Sequence, residues 1–181
     1  IFGTTIDDAA GEAFDKAGKM LGLDYPAGPI LDKKAKEGNH VFDCTKPKVD
    51  GLNISFSGLK PSILYFLQKE MKKDPSFINH NLNDLCCSIQ ATIVEILMDK
   101  LRQAASQEGI NDMAIAGGVS ANSALRNAVK SLAEEIGGQA FIPAFQYCTD
   151  NAGMIAMAAH YRYLAGIFAD QYVKPDPRMA F

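Results

Sequence analysis

Apolar residues recur at helical spacing along most of this chain and give way only twice to short continuous apolar runs. Ala10, Phe14, Ala17 and Leu21 mark a first helix between Asp8 and Leu23, with Gly22 near its end. Tyr25-Pro26-Ala27-Gly28-Pro29 breaks that pattern, and Pro29 is suited to open a second short helix that runs through Lys36 and stops at Gly38. Residues Asn39 to Asn53 read as loop or hairpin, and Ile54-Ser55-Phe56-Ser57 as an edge strand. From Lys60 to Lys72 the apolar face is Ile63, Leu64, Leu67 and Met71. The longest periodic segment, Asn81 to Gln107, carries a stripe of Leu82, Leu85, Ile89, Ile93, Ile96, Leu97 and Leu101 and predicts the principal core helix.

Beyond Gly109 the pattern alternates. A strand over Met113–Ala116 leads to a helix over Asn122–Ile136, and a strand over Ala140–Ile142 leads to a helix over Asp150–Ala165. Strand and helix in turn predict parallel crossovers in an α/β fold, with ligands at the carboxyl ends of the strands. Both expected strand ends carry polar loops: Gly117-Gly118-Val119-Ser120-Ala121-Asn122-Ser123 after the first, and Cys148-Thr149-Asp150-Asn151-Ala152 after the second.

Composition narrows the class. The 181 residues are 48% hydrophobic and 22% charged, enough apolar material for one globular core. A net charge of -3 argues against a generally basic nucleic-acid surface. Cys44, Cys86, Cys87 and Cys148 show no CxxC spacing, which points to a reducing, cytoplasmic setting rather than a disulfide framework. No apolar run approaches the roughly 20 residues that span a bilayer. The chain starts at Ile1 and enters a helix-start sequence almost at once, so it is expected to be a piece of a longer protein.

Each candidate site residue has two readings. Gly117-Gly118 matches neither GxGxxG nor a P-loop; it is a tight corner capped by Ser120 or Asn122, or a place where a nucleotide nears the backbone and Asn122 bonds a ribose or base. Asp150 is a helix cap or a cation ligand. His40, His80 and His160 show no HxxxH or HExxH spacing, so the chain cannot complete a metal site by itself. Asp7, Asp8, Glu12 and Asp15 form an acidic cluster placed on the first helix; Asp15 with the backbone at Gly28 is a candidate for holding a ligand with hydroxyls. Ser55-Phe56-Ser57-Gly58-Leu59-Lys60 is either a capped helix start or a phosphate neighbour. The two lysine groups, Lys33, Lys34 and Lys36, and Lys69, Lys72 and Lys73, read as solvated faces, with RNA contact as the second reading.

Five segments in this order resemble one family. They are Asp7-Asp8-Ala9-Ala10-Gly11-Glu12-Ala13-Phe14-Asp15-Lys16, Leu21 to Pro29, Ser55 to Lys60, Gly117 to Ser123 and Cys148 to Ala152, and together they are similar to the TsaD family, formerly called O-sialoglycoprotein endopeptidase or glycoprotease. Pro177-Arg178 also fits the family's C-terminal tail. The resemblance implies an actin-like ATPase (ribonuclease H-like, ASKHA) fold of two lobes. Residues 1–165 would form the C-terminal lobe and 166–181 a tail, with the N-terminal lobe outside this chain.

The resemblance further implies a tRNA N6-adenosine threonylcarbamoyltransferase. Such an enzyme moves threonylcarbamoyl from threonylcarbamoyl-adenylate to the adenosine beside the anticodon. It assigns Asp15, Gly28 and Asn122 to the nucleotide-like donor. Asp150 becomes a ligand of one divalent metal ion, iron or zinc, whose other protein ligands are the histidines of an HxxxH motif in the N-terminal half. The implied partners are tRNA, a paralogous TsaB-type subunit and a TsaE-type small ATPase, with no membrane. Two alternatives stand beside this reading: a non-catalytic dimerisation paralogue of the same fold, and the metallopeptidase of the older name. Where the family's turn commonly reads Pro-Gly-Gly-Pro, this chain has Ala27, which would strain the turn if it required positive φ.

Overall fold

The computed structural model describes residues 1–175; Pro177-Arg178 and the end of the expected tail lie outside the described residues. Among the described residues, seven α-helices and one two-stranded sheet make an α/β fragment that is mostly helical. Helix α1 (Ala10–Met20) buries Ala13, Phe14 and Ala17, and α2 (Ala27–Ala35) buries Leu31 between α1 and the long helix α5 (Leu82–Glu108). Helix α3 (Leu59–Met71) and the single turn α4 (Phe77–His80) close this side. Phe42, Phe66 and Phe77 meet there with ring centroids 5.4 to 5.9 Å apart. A second apolar cluster joins Val94 of α5 to Met113 and to Leu125, Val129 and Leu132 of α6 (Ser123–Glu135).

Strands β1 (Met113–Ala114) and β2 (Ala140–Phe141) pair in parallel, with Met113 opposite Ala140 and Ala114 opposite Phe141. Both polar loops therefore leave the carboxyl ends of neighbouring strands, as the alternating pattern predicts. Gly117 turns the first loop with a φ of 82°, a conformation that favours glycine, and a 3₁₀ turn, Gly118–Ala121, follows. Helix α7 (Ala152–Leu164) comes after the second loop and has no buried residue.

Several expected boundaries move, each for a local reason. The first helix starts at Ala10, so Asp7 and Asp8 lie before it: Asp7 accepts hydrogen bonds from the 55–57 loop, and Asp8 pairs with Lys16. Helix α2 begins two residues ahead of Pro29, because the Asp15 carboxylate accepts the Ala27 N–H at 2.8 Å. Residues 54–57 are not a strand; only Ile54 forms a bridge, parallel to Thr5. The buried face of α3 is Leu59, Ile63 and Leu67, while Leu64 and Met71 are exposed. No non-glycine residue among those described has positive φ, so Ala27 fits its helical turn without strain.

Candidate functional site

A cleft of about 600 Å³ opens between the α1–α2 corner and the loops at the carboxyl ends of the strands. Helix α1 supplies Gly11, Phe14 and Asp15; the start of α2 supplies Gly28 and Asp32; the 3₁₀ turn supplies Gly118, Val119 and Asn122; and the loop after β2 supplies Phe145 and Thr149. Asp15, Gly28 and Asn122, separated by up to 107 positions in the sequence, thus line one cavity. Asp150 does not line it. It sits beside Thr149 on an exposed part of the same loop.

Asn122 is both cap and cleft wall. Its Oδ1 accepts the Leu125 N–H at 3.0 Å, which satisfies the first turn of α6, and its Nδ2 donates to Gln90 Oε1 at 2.8 Å. The cap of α7 is not Asp150 but Asn151, whose Oδ1 accepts the Met154 N–H at 3.0 Å. Capping therefore makes no use of the Asp150 carboxylate.

Two of the cleft glycines have no internal need to be glycine. A Cβ on Gly118 would meet nothing within 4 Å, and one on Gly28 would touch only Phe14 Cβ at 3.9 Å; neither has positive φ. Space kept open on a cavity wall lets a ligand approach the backbone closely. The charges of the lining are acidic, Asp15 and Asp32, with no lysine or arginine. Such a wall suits ligand hydroxyls and disfavours free phosphate. The Ser55–Lys60 segment is likewise no anion site. Its Phe56 and Ser57 N–H groups and the Ser55 hydroxyl all point to the Asp7 carboxylate. Burial alone would raise the Asp7 carboxyl, but these hydrogen bonds hold it well below the usual carboxylate range.

Three contributors escape the sequence patterns. Asp32 accepts both the N–H (3.1 Å) and the hydroxyl (2.7 Å) of Ser123, tying α2 to the start of α6. Arg126 donates to the Ser120 carbonyl at 3.0 Å and lies 4.4 Å from the Phe145 ring centre, joining the two strand-end loops. Gln90 is the third. An i, i+4 acidic residue beside a proline turn was the one available signal for Asp32, since it follows Gly28 by one helical turn.

Among the described residues no three His, Cys, Asp or Glu side chains come close enough to hold a metal ion. Asp150 fits such a site only as a single carboxylate donor. His160, on α7, does not join it. The described residues also include no helix long and apolar enough to cross a membrane.

Comparison with known proteins identifies the family of the chain. The family profile described as "TsaD: tRNA N6-adenosine threonylcarbamoyltransferase" matches residues 1–157. A Riemerella anatipestifer protein named tRNA N6-adenosine threonylcarbamoyltransferase is 58% identical over 94% of this chain and 50% of its own length. Proteins of the same name from Christiangramia forsetii (54% identical over 100% of this chain and 54% of their own) and Porphyromonas gingivalis (53%, over 99% and 53%) match similarly. The chain spans about half the length of the curated relatives it matches. With one profile covering most of its residues and relatives aligned along nearly all of it, the chain belongs to the TsaD family.

Proposed function

We propose that this chain is the C-terminal, actin-like lobe (residues 1–165, with a tail from 166) of a cytoplasmic tRNA N6-adenosine threonylcarbamoyltransferase. The observation that carries this reading is the convergence of Asp15, Gly28 and Asn122 on one cleft, with Asp150 next in sequence to its lining residue Thr149. Asp15, whose Oδ1 takes the Ala27 N–H, has its second oxygen left for a ligand hydroxyl, and Gly28 admits the ligand to the α2 backbone. The apolar walls, Phe14, Val119 and Phe145, suit a nucleoside.

The reaction joins the exocyclic nitrogen of a tRNA adenosine to the carbamoyl carbon of threonylcarbamoyl-adenylate, breaks that carbon's bond to the phosphate oxygen, and releases AMP and a proton. The adenylate is a good leaving group, so the task of these residues is chiefly to fix the donor's orientation. A divalent iron or zinc ion would be held by Asp150 together with ligands outside this chain. When bound, such an ion supplies polarisation of an acyl oxygen. The partners in this reading are tRNA, a TsaB-type paralogue and a TsaE-type ATPase.

Reconstitution of the full-length protein with its partners, the adenylate and tRNA tests the proposal. The expected result is modified adenosine with the parent sequence and a large loss with Asp150→Ala. No modified adenosine, or undiminished activity of Asp150→Ala, would overturn it.

A further inference from the structure

Helix α5 carries several polar residues in its buried stretch. Ser88 accepts the Val41 and Phe42 N–H groups, and Thr92 donates to the Ser88 carbonyl, so both serve the backbone. Gln90, only 6% exposed, instead meets a side chain of the cleft wall: its Oε1 accepts from Nδ2 of Asn122, itself 9% exposed. Burying two amides costs desolvation that an apolar pair of similar shape would avoid.

The polarity of this pair is fixed by the backbone. The Leu125 N–H can only donate, so the Asn122 atom facing it must be the oxygen. Nδ2 then faces Gln90, which has to present its own oxygen there. Two hydrogen bonds at opposite sides of a planar amide hold its rotation at both ends. What is left for the cleft is one Nδ2 hydrogen and one Oδ1 lone pair, in preset positions.

We infer that Gln90 is a positioning residue: it fixes the Asn122 amide so that the cleft meets a donor nucleoside with a preset hydrogen-bond donor and acceptor. This rests on Asn122 as a ligand contact, the reading proposed above. Without Gln90 the cap alone restrains the amide, and binding the adenylate has to order it.

The test uses the full-length protein with its partners, threonylcarbamoyl-adenylate and tRNA. Gln90→Leu should raise KM for the adenylate by about fivefold, the loss of one hydrogen bond's worth of orientation, with kcat and the KM for tRNA within about twofold. Gln90→Glu, which keeps an acceptor at the same reach, should restore the adenylate KM to within about twofold of the parent. Gln90→Met serves in place of Gln90→Leu if the latter does not fold, as judged by circular dichroism. An unchanged adenylate KM in the apolar variant, while Asn122→Ala raises it, would overturn the inference alone. So would an equal loss with adenylate and tRNA that Gln90→Glu does not repair, the mark of a structural role. If Asn122→Ala itself leaves the adenylate KM unchanged, the ligand reading of Asn122 falls, and this inference with it.

Discussion

Gly18 has no room for a side chain, because a Cβ on it would overlap the Cβ of Ala27 at the start of α2. Gly18→Ala is therefore expected to lower stability by about 1–3 kcal/mol through overpacking, and Ala27→Gly in the same chain should recover most of the loss. Urea denaturation of the single and double variants checks this, and additive losses would refute it. Asp7 makes a second prediction at this scale. Its carboxyl is held low in the folded chain by the 55–57 loop, so its contribution is present above the unfolded value of about 3.9 and is lost as pH falls below it. Asp7→Asn should flatten the fall in urea midpoint between pH 5 and about pH 2.5 relative to the parent chain. At neutral pH the same substitution should cost about 1 kcal/mol, a modest figure because Asp7 is exposed.

At the scale of elements, periodicity was the dependable signal and termini were not. The stripe on α5 buries Leu85, Ile89, Ile93 and Ile96 as the spacing requires, and α6 buries Leu125, Val129 and Leu132. Boundaries shifted where a side chain distant in sequence supplied a hydrogen-bond acceptor: Asp15 to Ala27 at the start of α2, Asp32 to Ser123 at the start of α6, and Asp7 to the 55–57 loop, which leaves Asp7 outside α1. No local pattern encodes such long-range caps, and for the same reason the sequence does not mark Arg126 and Gln90, which brace the cleft from behind its lining, while Asp32 carries only its helical spacing from Gly28. Asp15, Gly28 and Asn122, which the five ordered motifs single out, do line one cleft, since resemblance carries tertiary information that spacing lacks. Helix α7 offers the direct test of a local cap. Asn151→Ala should remove about 1 kcal/mol from that helix, seen as faster amide exchange over its first turn, whereas Asp150→Ala should leave that exchange unchanged.

The whole molecule leaves a considerable apolar surface uncovered. Met154, Ile155, Met157, Tyr161, Tyr163 and Leu164 are each more than two-fifths exposed, and α7 is apolar on nearly every side. A helix of that composition is stable when enclosed, and an exposed patch of this size binds dyes and other chains. The 181 residues alone are expected to bind an anilinonaphthalene dye and to self-associate in sedimentation, with the full-length protein doing neither. In the reading proposed above they should also show no transfer activity, because no three His, Cys, Asp or Glu side chains among the described residues gather into a metal site. Turnover by this chain alone would contradict that expectation.

The cleft also lies along the seam between the two apolar clusters. Phe14 belongs to the one that α1, α2, α3 and α5 share, and Asn122 begins the helix that anchors the other. A nucleoside lodged between them would act as a cross-brace, its binding energy felt by whichever block opens first. With such a ligand bound the two clusters should melt in one sharper transition, so that in the reading proposed above recognition of the donor and mechanical unity become one property.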